Sequence, residues 1–113
     1  MGSENTFDTD LETRIELEAG LLPLIEDVWQ YCERTRGYGR TVNLKVKYLD
    51  FQQITRSKTT LSPIMEKAFF ERISFNLLEQ IQPVEKGVRL LGISLSNLEF
   101  ADEMVGKQLT FNF

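Results

Sequence analysis

The stretch Thr41 to Tyr48 constrains this chain more than any other. Val42, Leu44, Val46 and Tyr48 alternate without a break with Thr41, Asn43, Lys45 and Lys47. Successive side chains of an extended strand point to opposite faces, so the pattern predicts a strand with one buried and one wet side. After the turn-like Leu49-Asp50 comes a second polar run, Gln52, Gln53, Thr55, Arg56, Ser57, Lys58 and Thr59. Its side chains and backbone donors suit anionic oxygens, and the two strands together predict a polar, basic surface. The phase of the second strand is less firmly set, because Phe51 and Ile54 fall on opposite faces unless a β-bulge intervenes.

That surface sits in an acidic protein. The 113 residues carry a formal net charge of -4, which by itself argues against a nucleic-acid partner. The charges are unevenly placed, however. Residues 1–34 hold Glu4, Asp8, Asp10, Glu12, Glu16, Glu18, Glu26, Asp27 and Glu33 against Arg14 and Arg34, whereas residues 40–58 hold Arg40, Lys45, Lys47, Arg56 and Lys58 against Asp50 alone. The strand pair is therefore locally basic.

The remaining elements read as follows. Asn5-Thr6-Phe7 has strand character, and Asp8, Thr9 and Asp10 are N-cap types ahead of an acidic helix. From Leu11 to about Arg36, Leu21, Ile25, Val28, Trp29 and Cys32 recur at helical spacing, with Pro23 as a kink or a fresh start and Gly37 and Gly39 as the stop. Ser62-Pro63 predicts the start of a second helix, which ends before Pro83 and buries Met65, Ala68, Phe69, Ile73, Leu77 and Ile81. Phe69 and Phe70 cannot both face inward. Leu91, Ile93 and Leu95 alternate with Gly92, Ser94 and Ser96 in a last strand, and Leu98 to Lys107 reads as an irregular tail. The opening Met1-Gly2-Ser3 carries no structural signal. The order is strand, helix, strand, strand, helix, strand in one domain: an α+β fold of the split-βαβ, ferredoxin-like kind, with two helices on one face of a four-stranded antiparallel sheet.

Several chemistries are excluded or disfavoured. With no histidine in the chain, histidine-based acid–base, nucleophilic and metal chemistry is excluded. Arg36-Gly37-Tyr38-Gly39-Arg40 lacks the spacing of a phosphate-binding loop. Glu26-Asp27 and Asp102-Glu103 read as solvated carboxylates, and Cys32 as a small core residue. A single cysteine forms no internal disulfide, no run approaches the roughly 18 apolar residues of a membrane span, and no signal peptide is visible, so a cytoplasmic protein is expected.

Arg40 to Tyr48, then Asp50-Phe51, then Thr55-Arg56-Ser57, resembles the little finger domain of Y-family translesion DNA polymerases, the bacterial DNA polymerase IV branch in particular. Asn5-Thr6-Phe7 resembles that domain's first strand and Gly87-Val88-Arg89-Leu90-Leu91-Gly92-Ile93 its last. The resemblance implies the same fold, and a role in gripping the primer-template duplex. It also implies that this fragment catalyses nothing: the catalytic carboxylates, their Mg and the nucleotide site belong to palm and finger domains outside it. Carried over by motif, the expected DNA contacts are Arg40, Thr41, Thr55, Arg56, Ser57 and Lys58, followed by Asn43, Lys45, Lys47 and Gln53.

The last six residues, Gln108 to Phe113, resemble the QLxLF-type peptide by which bacterial polymerases dock on the sliding clamp. Gln108 would bond at the rim, while Leu109, Phe111 and Phe113 would fill an apolar groove. Phe111 stands where an aliphatic residue is usual. Residues 1–100 would then form the little finger and residues 101–113 a clamp-binding tail. Two other readings stay open: a ferredoxin-like RNA-binding module, which requires stacking aromatics on the open sheet face, and a regulatory ligand-binding domain, which requires a pocket.

Overall fold

The computed structural model describes residues 1–82 and 86–100. Its elements are β1 (Gly2–Leu11), α1 (Arg14–Thr35), β2 (Gly37–Tyr38), β3 (Thr41–Tyr48), β4 (Gln53–Thr59), α2 (Lys67–Gln80), β5 (Val88–Ser96) and β6 (Glu99–Phe100). The main sheet is antiparallel in the order β1-β5-β3-β4. The α+β class and the split βαβ arrangement agree with the sequence reading: β5 lies between the two strands that α1 joins, and β3 between the two that α2 joins. Basic β3 is thereby central, while β1 and β4 are the edges.

Both helices cover the side of the sheet that carries Val42, Leu44 and Val46. Leu17, Leu21, Ile25 and Cys32 of α1, Phe70 and Leu77 of α2, and Leu91, Ile93 and Leu95 of β5 complete one buried core. Trp29 joins the layers, its ring centroid 6.0 Å from Phe70 and 5.8 Å from Tyr38. Burial of these side chains is the main stabilising term, about 1.5–3 kcal/mol for each large apolar residue.

Local chemistry accounts for most differences from the expected boundaries. The first strand is longer than Asn5 to Phe7, taking in residues 8–10 and Gly2-Ser3, and Leu95 N–H donates to Met1 C=O at 2.8 Å. The N-cap of α1 is Thr13, in a reciprocal capping box: Glu16 N–H donates to Thr13 Oγ1 (3.2 Å) and Thr13 N–H to Glu16 Oε1 (3.1 Å);. The helix runs through Pro23 without a break. Pro23 and Ala19 both face solvent, where water can take the carbonyl that proline leaves unpaired. Its stop is Arg36, at φ 56°, and not a glycine. Gly37 serves a different end, since a Cβ there would lie 2.7 Å from the Phe100 ring. That close approach lets β6 pair with β2, so Glu99–Phe100 is a strand where an irregular tail was expected.

The second helix begins at Lys67, not at Ser62-Pro63. Residues 60–66 form an irregular strap instead, bent at 61–62, held by Thr60 Oγ1 to Ser62 C=O (2.7 Å) and by Ile64 N–H to Gly39 C=O (2.9 Å), with Ile64 in the core. The buried stripe is Phe70, Ile73, Ser74, Leu77 and Leu78. Met65, Ala68 and Phe69, expected inside, are exposed.

Candidate nucleic-acid interface

Strand register assigns the two faces. Across β4, β3 and β5, Ser57 pairs with Asn43 and Ser94, Thr55 with Lys45 and Gly92, and Gln53 with Lys47 and Leu90. Directly paired residues of an antiparallel ladder share a face. This side carries no helix, and β1 adds Gly2, Glu4 and Thr6 to it. The polar, basic surface expected from the sequence is thus assembled from Thr41, Asn43, Lys45, Lys47, Gln53, Thr55 and Ser57.

Arg56 and Lys58 do not join it. They pair with Leu44 and Val42, so both leave the edge strand on the side of the helices. Arg56 Nη1 donates to Thr55 C=O at 2.8 Å. Its charge opposes the effect of burial, which raises the Tyr48 phenol above its ordinary range. Arg56 and Lys58, expected among the DNA contacts, therefore stand apart from the open face, while Gln53, Thr55 and Ser57 lie on it. The run is a strand, and every second residue turns away. Phe51 lies in the turn before β4 and only Ile54 is in the strand, so the apparent conflict of phase needs no bulge in β4.

Hydroxyls and amides on the open face are already linked. Ser57 Oγ donates to Asn43 Oδ1 (2.8 Å), and Asn43 Nδ2 donates to Ser96 Oγ (3.1 Å). Thr41 and Thr59 hydroxyls lie 3.0 Å apart, and Asn97 Nδ2 reaches Thr41 Oγ1 at 2.6 Å. These bonds tie three strands together and leave the outer lone pairs and hydroxyls for solvent or a ligand. Arg40 stands at the start of β3 with its Nε buried and unpartnered.

Three features of the face escaped the sequence reading. Glu4 of β1 pairs with Lys45, Oε2 to Nζ 2.7 Å. Gly92 lies between them and floors an open trough of about 380 Å³ bordered by Gly2, Asn43, Thr55 and Ser94. Arg89 also comes to this side. The β3–β5 register slips between Lys47 and Tyr48, so that Tyr48 pairs with Val88 and Arg89 is the extra residue;. Simple alternation would have put Arg89 inside with Leu91 and Ile93. Its guanidinium instead sits 5.4 Å from the Phe51 ring centroid, and Lys47 Nζ 5.5 Å from the same centroid. A bulge leaves no composition signal, which is why Arg89 was missed.

The β3–β4 turn is pinned from behind. Lys86 Nζ contacts Asp50 Oδ2 (2.6 Å) and Gln52 Oε1 (2.9 Å), and Leu49 N–H donates to Gly87 C=O. The Lys86 hydrogen bond, and then Gln52 N–H, hold the Asp50 carboxyl below its ordinary range. The predicted clamp-docking residues Gln108, Leu109, Phe111 and Phe113 lie outside the described residues. Among the described residues no group of three or more Cys, Asp or Glu side chains is placed to hold a metal ion, and no helix is long and apolar enough to cross a membrane.

Residues 1–111 match the model of the impB/mucB/samB family C-terminal domain. The chain belongs to this family. Its relatives include DNA polymerase IV 3 of Mesorhizobium japonicum, 50% identical over 101 residues, and DNA polymerase IV 2 of Agrobacterium fabrum, 42% identical over 98 residues. Each match covers 87% of this chain but only 27% and 28% of those relatives, so the chain spans little more than a quarter of their length. The fold is similar to that of the little finger domain in a solved complex of a beta-clamp processivity factor with the little finger domain of PolIV. That match has a TM-score of 0.69 at 24% identity and covers 87% of each chain. The resemblance drawn from Arg40 to Ser57 and Gly87 to Ile93 therefore holds: this impB/mucB/samB C-terminal domain is of the Y-family little finger type, of the DNA polymerase IV branch.

Proposed function

We propose that this domain holds a primer-template DNA duplex by its sugar–phosphate backbone against the open sheet face, as the gripping part of a longer DNA-directed DNA polymerase. The observation that carries the reading is the chemistry of the open face: Lys45, Lys47 and Arg89 lie there with a field of hydroxyls, and Glu4 stands against Lys45. Ammonium and guanidinium groups neutralise phosphates and release counterions, and hydroxyls bond phosphate oxygens without reading base edges. Such a grip is independent of sequence, as a polymerase requires. The chemistry of nucleotide addition, and the Mg it uses, are assigned to a palm outside this chain, and the protein to the cytoplasm, where bacterial DNA is copied.

The face also fits the rival readings less well. An RNA-binding module of this architecture stacks two or three bases on aromatic rings. Among the described residues Phe51 is the one exposed aromatic on this side, and Tyr48 faces the helices. The trough over Gly92 is an open furrow rather than the enclosed pocket of a ligand-binding domain.

The test is fluorescence anisotropy of labelled duplexes of unrelated sequence, titrated with the domain between about 50 and 200 mM salt. Weak binding with little sequence preference and a steep salt dependence is expected. Absence of salt-dependent binding, or binding unchanged in Lys45→Glu/Lys47→Glu, would overturn the reading.

The C-terminal residues Gln108 to Phe113 are proposed as a second contact, with a sliding clamp. The solved clamp complex of a PolIV little finger supports a partner of this class. A peptide of residues 106–113 should bind a bacterial clamp, and deletion of Gln108 to Phe113 should abolish clamp binding by the domain. Clamp binding that survives the deletion would refute the role given to the tail.

A further inference from the structure

Phe51 combines three properties that packing does not explain. It is 65% exposed, so its ring adds little to the core. Its φ is 68°, a conformation unfavourable for any side chain with a Cβ;. Its ring also has two cations against it, Lys47 Nζ at 5.5 Å and Arg89 Cζ at 5.4 Å. Backbone strain at an exposed residue points toward function more than toward stability.

The turn around Phe51 is built to hold that conformation. Phe51 N–H donates to Tyr48 C=O (3.0 Å), Tyr48 N–H to Gln52 C=O (2.9 Å), and Gln52 N–H to Asp50 Oδ1 (3.1 Å). Lys86 clamps Asp50 and Gln52 from the far side. The Phe51 backbone is therefore fixed, and the ring it carries turns its π-face, the negative end of its quadrupole, to the cations;.

Lys47 and Arg89 differ from Lys45 in one respect. Lys45 has Glu4 as its partner, whereas no carboxylate pairs with Lys47 or Arg89 among the described residues. Two like charges held beside one ring repel each other, and an anion between them would relieve that repulsion. Beside them lies a recess of about 210 Å³ lined by Thr6, Lys47, Phe51, Arg89 and Leu90. A water molecule takes about 30 Å³ of liquid, so the recess has room for a small anion with part of its hydration shell. Thr6 adds a hydroxyl.

We propose that Phe51 is a positioning residue that gathers Lys47 and Arg89 into a two-cation clip for a single phosphate group. The inference rests on the reading of the open face as a DNA surface and adds to it one phosphate subsite at the β3–β4 turn. Both cations need the ring, because the flexible lysine stem and the bulged Arg89 backbone leave each head free to swing into water.

The experiment measures duplex affinity against salt for the intact chain and for Phe51→Leu, Phe51→Tyr and Phe51→Gly, each also in an Arg89→Ala background. Loss of one phosphate contact lowers the slope of log K against log salt by about one. Phe51→Leu is expected to weaken binding about two- to fivefold, the range of an exposed cation–π contact, and to lower that slope. Phe51→Tyr keeps the ring and should bind like the parent. Phe51→Gly relieves the positive φ, so it should raise the thermal midpoint while weakening binding, a pair of outcomes that damage to the fold cannot produce.

In the Arg89→Ala background the Phe51 substitutions should cost clearly less. Equal losses in both backgrounds, or a Phe51→Tyr variant as weak as Phe51→Leu, would overturn the clip. If the parent chain binds no duplex, the reading of the face fails. The clip is then judged by titrating pyrophosphate and following the Arg89 Nε–H NMR signal: a saturable shift lost in Phe51→Leu supports it, and no shift overturns it.

Discussion

Lys45 Nζ meets Glu4 Oε2 at 2.7 Å across Gly92, joining β3 to β1 over the one residue of β5 that has no side chain. A Cβ at position 92 would lie 3.3 Å from the Glu4 Cβ, a tight contact, so the glycine leaves the two groups room to meet. The pair places a carboxylate on the face proposed for phosphates. An exposed ion pair of this kind stabilises a fold by at most about 1 kcal/mol. Glu4→Gln should therefore change the urea midpoint little. It should raise duplex affinity about two- to fivefold at low salt and steepen the salt dependence, because Lys45 is freed to neutralise a phosphate. Unchanged affinity and slope in the variant would mean that DNA does not approach Lys45.

The two basic pairs should separate in the same assay. Lys45 and Lys47 stand on the open face, while Arg56 and Lys58 leave β4 on the helix side. Lys45→Glu/Lys47→Glu is expected to lower affinity tenfold or more and the salt slope by at least the one contact that Lys47 makes, and Arg56→Glu/Lys58→Glu to lower the slope by less than one. A larger loss from the second pair would move the duplex from the sheet face to its β4 edge.

The same register marks how far the sequence could be read. The alternation of Val42, Leu44 and Val46 with Asn43, Lys45 and Lys47 made β3 legible, because a central strand with one dry side has only one workable phase. β4 is an edge strand with Ile54 as its one apolar strand residue, so its phase followed from pairing with β3 and not from its own pattern. Arg89 depended on a bulge, and Glu4 on a neighbour two strands away. Neither relation is local in sequence. The second helix was misplaced for a related reason: Ser62-Pro63 is a good helix start, but Ile64 enters the core from an irregular strap ahead of the helix.

That strap and the later start of α2 also decide between two adjacent phenylalanines. Phe70 is fully buried against Trp29, and Phe69 is 38% exposed. Phe70→Ala should cost about 3–5 kcal/mol, the usual loss for a large aromatic in a core. Phe69→Ala should cost under about 1 kcal/mol, as for other surface sites. Urea unfolding followed by Trp29 fluorescence measures both, and equal costs would refute the assigned face of the helix.

At the start of α1, Thr13→Ala removes the cap and should cost roughly 1 kcal/mol at neutral pH. The capping box adds a pH dependence. Hydrogen bonds from the Thr13 side chain and backbone, then from Glu12 N–H, hold the Glu16 carboxyl below its ordinary value. A depressed carboxyl stabilises the fold above its unfolded pKa, and that contribution fades as pH falls through the folded value. The difference between the parent and Thr13→Ala should therefore shrink as pH drops below the ordinary carboxylate range. It should not vanish, since Glu16 N–H still donates to the Thr13 hydroxyl. A difference that grows in acid would contradict the box.

Cys32 gives the opposite sign at the other end of the pH scale. Its thiol is fully buried on α1, beside Met1 Sδ at 3.4 Å, and burial pushes its pKa up from 9.0 to about 11. The folded state keeps the proton that the unfolded chain releases, so stability is unaffected below pH 9 and falls between about 9 and 11;. Cys32→Ala should weaken the core at neutral pH but flatten this alkaline fall. The thiolate is also the nucleophile toward disulfide reagents, so the native thiol should react only as fast as the core opens. Its reaction rate at pH 8 should rise with urea in step with unfolding. A native rate like that of a small-molecule thiol would place Cys32 at the surface and remove the buried seam between α1 and the start of β1.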